Sequence, residues 1–181
     1  MTTYMLFVRG VNVGGRNRLP MPELREILGS LRHADVTTYL QSGNALFTSG
    51  RGDTAELEQE VEGALAARLG LGVTVMVRTA GELATLIAAN PLPAAAREPS
   101  RLHLVFLAAG ADPERVSTID LSRFEPDQVR PGARVLYIWY RNGVGKSKLT
   151  TTFLEQRLGG PATARNWNTV TRLADLGASA G

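Results

Sequence analysis

Residues 36–48, Val-Thr-Thr-Tyr-Leu-Gln-Ser-Gly-Asn-Ala-Leu-Phe-Thr, decide the fold. Val36 to Gln41 and Asn44 to Thr48 are rich in β-branched and aromatic residues, and Ser42-Gly43 between them supplies the positive φ of a tight turn, so the stretch reads as a hairpin. Upstream, Tyr4 to Val8 is a short apolar run that breaks into Gly10-Val11-Asn12-Val13-Gly14-Gly15, a buried strand ending in a glycine-rich loop. Pro20 and Pro22 then pre-set φ for a first helical turn, and Leu24, Ile27, Leu28 and Leu31 recur at helical spacing as far as Arg32-His33. Downstream, Asp53 stands as an N-cap three residues before Glu56. Leu57, Val61, Leu65 and Leu69 follow along one face to Gly70, a C-cap. A strand from Val73 to Arg78 closes the unit. Residues 1–79 are therefore expected to run strand, helix, strand, strand, helix, strand, which is the ferredoxin-like or split βαβ plait.

Residues 80–181 read as a second α/β plait-like unit. Thr79 to Asn90 is a connecting helix with Thr79 and Glu82 as a capping pair, stopped by Pro91 and Pro93, and Pro91 to Ser100 is a linker. Beyond it the pattern predicts a strand from Leu102 to Ala108, a helix opened by Asp112-Pro113 and a hairpin turning at Pro131-Gly132 between Gln128 and Tyr140. A helix from about Thr150 to Leu158 and an extra C-terminal helix from Asn168 to Leu176 complete the chain. The fold class expected is α+β: two ferredoxin-like units packed together, with an added helix at the end.

The chain contains no cysteine, which excludes a disulfide scaffold, a zinc-thiolate centre and a thiol nucleophile. His33 and His103 cannot alone build a histidine-rich metal cage. No apolar run reaches the ~20 residues of a membrane span, and the opening Met-Thr-Thr-Tyr lacks the features of a signal peptide, so a cytoplasmic protein is expected. The net charge of +3 is mild, but it is unevenly spread. From Arg9 to Pro20 there are three arginines (Arg9, Arg16, Arg18) and no acid. From Arg141 to Arg172 the basic residues Arg141, Lys146, Lys148, Arg157, Arg165 and Arg172 accompany only Glu155. The acids Asp53, Glu56, Glu58, Glu60 and Glu62 read as the solvated face of a helix.

Right-handed crossovers in a split βαβ make the first two strands parallel, which brings the loop 9–18 and the turn Gln41-Ser42-Gly43-Asn44 to one end of the sheet. Together they offer backbone N–H groups, a helix N-terminus, a hydroxyl, carboxamides and guanidinium groups, the inventory of an anion site. The plainer reading is a loop and a hairpin that need glycine for their turns. Gly143-Val144-Gly145-Lys146-Ser147 follows a strand and precedes a helix, the context of a phosphate-binding loop. Tyr140 occupies the position of that motif's first glycine, however, so Lys146 and Ser147 are taken only as a secondary phosphate contact. Arg165-Asn166-Trp167-Asn168-Thr169 has two readings. Either an asparagine N-caps a helix while Trp167 plugs the core, or Trp167 is a stacking surface flanked by Arg165. Tyr4, Phe7 and Phe47 read as core, because Ser42 to Ser49 does not fit the pattern of an RNA-recognition motif. His103 reads as a satisfied polar residue and His33 as a helix-dipole partner. Neither a Ser-His-Asp set nor paired catalytic carboxylates can be argued from spacing.

Arg-Gly-Val-Asn-Val-Gly-Gly at 9–15, Met21 with Leu24, Tyr-Leu-Gln-Ser-Gly-Asn at 39–44, Asn90-Pro91 and Thr-Ala-Arg-Asn-Trp-Asn-Thr-Val at 163–170 resemble the bacterial domain-of-unknown-function family 1697 over nearly the whole chain. The resemblance implies a compact α+β protein built on ferredoxin-like plaits and brings no activity. It marks Arg9, Asn12, Gly14, Gly15, Ser42, Gly43, Asn44, Arg165, Asn166, Trp167, Asn168 and Thr169 as pattern residues. Most are polar or glycine, whereas a pattern set by core packing alone would be mostly apolar. The leading expectation is a binding protein for a phosphate-bearing ligand, a nucleotide or nucleic acid. The alternatives are a small enzyme acting on a phosphorylated metabolite, with Ser42 or Asn44 near the chemistry, and a protein-interaction or homo-oligomeric module. Cofactor and oligomeric state are left open.

Overall fold

Tyr4 to Val8 form the inner part of strand β1 (Thr2–Val8), and all five are buried, which explains why they read as a continuous apolar run rather than an alternation. In the computed structural model, which describes residues 1–180, β1 is followed by α1 (Met21–Ser30), β2 (Ala34–Tyr39), β3 (Asn44–Ser49), α2 (Thr54–Leu69) and β4 (Val75–Thr79). The strands form one sheet in the order β2-β3-β1-β4, every neighbouring pair antiparallel. Since β1 and β2 both oppose β3, they run parallel to each other, and the end of β1 lies beside the β2–β3 turn. Helices α1 and α2 bury Leu24, Ile27, Leu28, Leu57, Val61 and Leu65 against Leu6, Val8, Phe47 and Val75 on one sheet face. Each such side chain contributes about 1.5–3 kcal/mol through burial.

Met5 points to the other face of the sheet. A β-carbon built at Gly177 of helix α5 (Trp167–Ser179) would stand 2.1 Å from the Met5 methyl, so a glycine lets that helix approach the strand. The chain divides into two units, Met1–Ala84 with the residues from Leu173 on, and Thr85–Arg172. It crosses between them inside α3 (Ala80–Ala88) and returns inside α5. At the start of α3, Thr79 and Glu82 form the expected reciprocal cap. Thr79 N–H donates to the Glu82 carboxylate (2.7 Å) and Glu82 N–H donates to the Thr79 hydroxyl (3.0 Å).

The second unit contains β5 (Leu102–Leu107), β6 (Gln128–Gly132), β7 (Val135–Trp139), α4 (Thr151–Leu158) and β8 (Ala162–Asn166), in the sheet order β6-β7-β5-β8, again antiparallel throughout. Four local expectations are corrected here. Asp112-Pro113 opens 3-10 turns at Pro113–Thr118 and Ser122–Phe124 instead of an α-helix. The Ser117 and Thr118 hydroxyls donate to Glu114 O and Arg115 O, and Asp120 accepts from Ser122 N–H, so side chains compete with the helical ladder. The hairpin turns at Ala133-Arg134, with Arg134 at φ +58°, while Pro131 stays in the outer strand β6 where its missing N–H is tolerated. Pro91 to Ser100 is ordered rather than a bare linker: Asn90 accepts from Leu92 N–H at 2.9 Å, and a 3-10 turn at Pro93–Arg97 buries Ala95. Finally, β8 completes a sixth major element between α4 and the last helix. Its Ala-Thr-Ala-Arg-Asn composition has no apolar period to read.

The acids of α2 do not form a simple solvated face. Glu58 is 7% exposed, accepts from Val77 N–H at 2.8 Å and lies 3.7 Å from the equally buried Arg78, while Glu62 accepts from Val75 N–H at 2.8 Å. Both amides belong to the outer strand β4. Glu155 of α4 does the same for Ala162 N–H of the outer strand β8, at 2.8 Å. Helix carboxylates thus satisfy donors that an edge strand would otherwise present to another chain. His33 is likewise not at a helix dipole's disposal alone: it is buried, stacked on Phe47 at 4.4 Å, with Nε2 3.4 Å from Glu60. His103 packs edge-on against Tyr140, and its Nδ1 finds no hydrogen-bond partner among the described residues. No helix among the described residues is long and apolar enough to cross a membrane, and no group of three or more metal-ligating side chains is found among them.

Two outcomes follow. Glu58→Ala removes a buried acceptor that also faces Arg78 and is expected to cost about 3 kcal/mol in urea unfolding, against about 1 kcal/mol for Glu62→Ala. Burial holds both histidines below their ordinary value of 6.5, with Glu60 opposing the shift at His33 and the Arg101 backbone opposing it at His103. Between the lowered folded values and 6.5 the unfolded chain binds more protons, so stability is retained above that window and lost as pH falls through it. Melting temperature should therefore drop on acidification from neutral pH, and His33→Gln with His103→Gln should flatten that drop.

Candidate functional site

The loop after β1 is fixed by its own side chains. The Asn12 carboxamide donates to Leu19 O (2.8 Å) and Gln41 O (2.6 Å), and its oxygen accepts from Leu19 N–H (2.9 Å). Asn17 donates to Gly10 O at 3.0 Å, and Asn12 N–H donates to Asn17 O at 3.2 Å. Asn12 and Asn17 sit at φ +55° and +49°, a left-handed conformation that asparagine tolerates better than most residues. At the tip, Arg16 N–H donates to Val13 O across Gly14 (φ +58°) and Gly15 (φ +73°), the positive pair of a type I′ turn. The expected juxtaposition of loop and hairpin is thus present, held by the Asn12–Gln41 hydrogen bond.

Gly43 seals the junction. Val8 N–H donates to Gly43 O at 2.8 Å, and a β-carbon on Gly43 would fall 2.7 Å from Val11 Cγ2 and 2.9 Å from Val8 Cβ. Asn44 is fully buried, donating to Tyr39 O and to the Ser42 hydroxyl, so it serves the turn. Arg9 is half-buried, with its N–H bonded to Thr74 O. Arg16, Arg18, Gly14, Gly15 and Ser42 are exposed. Of the large apolar side chains left in solvent, Val13 (68%) and Leu40 (53%) lie on these same two segments. Leu40 also adopts φ +58°, which costs a leucine about 1 kcal/mol or more.

Arg165 to Thr169 belong to the second unit. There the capping reading describes the geometry: Asn166 accepts from Thr169 N–H at 3.0 Å at the start of α5, and Trp167 and Thr169 are buried. Buried Trp167 has no face wide enough for a base to stack on. Arg165 is also buried and donates to the Thr163 hydroxyl and Ala164 O; burial alone lowers its pKa to about 10. Asn168 is exposed. At Gly143–Ser147 the chain makes a 3-10 turn, Val144–Lys146, and α4 begins only at Thr151. The Ser147 hydroxyl donates to Asp127 (2.6 Å) and accepts from Leu149 N–H (3.0 Å), while Lys146 is exposed. The sequence reading missed the neighbours of this turn, a cleft of about 450 Å³ formed with Arg123 to Asp127. Asp127 stands some twenty residues from the turn it braces, so no local spacing announces it.

The model of a family described as "Protein of unknown function (DUF1697)" matches residues 1–137, which leaves out the 163–170 segment. Among solved structures, the conserved bacterial protein SP0830 from Streptococcus pneumoniae is similar in fold, with a TM-score of 0.77 and 24% identity over 97% of this chain and 98% of that one. No curated protein matches the chain.

The junction yields a pair of stability changes of opposite sign. Gly43→Ala should destabilise by about 2 kcal/mol, since a methyl there meets Val8 and Val11 and φ is unfavourable. Leu40→Gly should stabilise by about 0.5–1 kcal/mol by relieving the left-handed leucine. Urea denaturation of the two variants reads both.

Proposed function

The chain belongs to the DUF1697 family, whose function is unknown, and from that premise we propose that it binds the phosphate backbone of a nucleic acid through the loop Arg9–Arg18 and the adjoining Ser42–Asn44 turn. The observation that carries this reading is the pair Arg16 and Arg18: exposed, without a carboxylate partner among the described residues, on an acid-free loop locked by Asn12 and Asn17. A loop whose backbone is ordered in advance presents its cations without the entropic cost of ordering that backbone on binding. Residues 12–18 of the loop are all exposed, whereas a small ligand is usually held in a buried concavity, so an extended polyanion fits the loop better. Gly14 and Gly15 carry no side chain that would keep a phosphate from the backbone.

We read each unit as a ferredoxin-like plait, because the strand order, counted from each unit's own first strand, is 4-1-3-2 in both. Plaits that bind single-stranded RNA stack bases on exposed sheet aromatics. Here Tyr4, Phe7 and Phe47 are no more than 1% exposed, so the proposed contact is electrostatic and sequence-tolerant.

The test is fluorescence anisotropy with a short mixed-sequence DNA at several salt concentrations. Arg16→Ala with Arg18→Ala should weaken binding by about tenfold or more and reduce the slope of log affinity against log salt by about two units. An affinity and slope equal to those of the unaltered protein would falsify the assignment.

A further inference from the structure

A second place with the chemistry of a binding site lies within Thr85–Arg172 and shares no residue with the loop assigned above. It is the cleft of about 450 Å³ between Arg123–Asp127 and Asn142–Lys148, a volume in the range of small-molecule sites. Arg123, Lys146 and Lys148 bring three cations to its walls, Glu125 and Asp127 two carboxylates, and Asn142 a carboxamide. Asp127 is already committed. One of its oxygens accepts from Arg141 N–H at 2.9 Å and the other from the Ser147 hydroxyl at 2.6 Å, so a single carboxylate braces both ends of the turn that carries Lys146. Arg141 is itself held with its guanidinium 4.0 Å over the Trp139 ring.

Asp127 is held by neutral donors and keeps its charge, so three cations stand against two carboxylates, and none of Arg123, Lys146, Lys148 and Glu125 has an ion pair among the described residues. That leaves a surplus of one positive charge carried on three separate donor side chains, which suits an anion with several acceptor oxygens, and a phosphate monoester supplies them. The rest of the wall is polar. Glu125 offers acceptors and Asn142 both donors and an acceptor, which is the equipment for hydroxyl groups. Phe124, the aromatic residue of the wall, is 7% exposed and belongs to the core, so a nucleobase has no face to stack on.

We propose that this cleft binds a small phosphorylated polyol of sugar-phosphate size, with Arg123, Lys146 and Lys148 on the phosphate and Glu125 and Asn142 on the hydroxyls. The three cations and Glu125 are exposed, so their substitution leaves the core intact.

The experiment is titration calorimetry of the full chain with ribose 5-phosphate, ribose and inorganic phosphate. Ribose 5-phosphate should bind saturably and more tightly than either of the others. Lys146→Ala with Lys148→Ala should weaken it by about tenfold or more, and Glu125→Gln should narrow the advantage of ribose 5-phosphate over inorganic phosphate. Arg16→Ala with Arg18→Ala should leave it unchanged, which separates this site from the nucleic-acid loop. Absence of saturable binding, equal affinity in the double-lysine variant, or inorganic phosphate binding as tightly as ribose 5-phosphate would each overturn the proposal.

Discussion

Gly43 lies so close to Val8 and Val11 that no side chain fits between them, and much of the first unit's geometry follows from that contact. The strand pairing brings the β2–β3 hairpin and the loop after β1 to one end of the sheet, and the missing side chain at Gly43 lets the turn press against the end of β1 there. The Asn12 carboxamide then bridges Leu19 and Gln41, joining the loop, the approach to α1 and the hairpin by three hydrogen bonds. Two asparagines in left-handed conformations and a glycine pair at the tip give the loop one shape without a hydrophobic core of its own. Arg16 and Arg18 are consequently displayed on a fixed base, although their own side chains lie in solvent.

A second device recurs in both units. The last strand of each sheet is an outer strand, and in each a glutamate from the preceding helix accepts from its backbone: Glu58 and Glu62 for β4, Glu155 for β8. Unpaired N–H groups on a sheet edge invite pairing with other chains, and a carboxylate across them removes the invitation while satisfying the donors. The device explains why α2 carries acids on a face that is not wholly solvated. Its burial of Glu58 beside Arg78 also makes that pair costly to break.

The helices α1 and α2, the hairpin at Ser42-Gly43 and the capping pair at Thr79 and Glu82 were legible because each follows a local rule of period, turn or cap. What could not be read depends on partners distant in sequence or on side chains of ambiguous type. Strand β8 consists of small and polar residues whose strand character comes only from pairing with β5. The residues after Pro113 had a helix's opening but spend their hydroxyls and carboxylates on nearby backbone, which yields 3-10 turns. At the site, Arg9, Arg16 and Arg18 stood out through the absence of acids around them. Asn12 and Asn44 stood out as polar residues too, but the structure uses both as braces. Trp167 reads either as a core plug or as a stacking surface flanked by Arg165, and both residues are buried. The cleft escaped notice because Asp127 and Ser147 meet only after the second sheet has formed.

The central claim is that a preformed cationic loop in the first unit contacts nucleic-acid phosphates. The most direct measurement is chemical-shift mapping of the isotopically labelled protein during titration with a short single-stranded DNA at low salt. The account predicts that the largest, salt-sensitive amide shifts fall on Gly10 to Arg18 and Gln41 to Gly43, with the interior of β1 and β3 nearly unmoved. Shifts centred elsewhere, or none at DNA concentrations well above those of the protein, would contradict it.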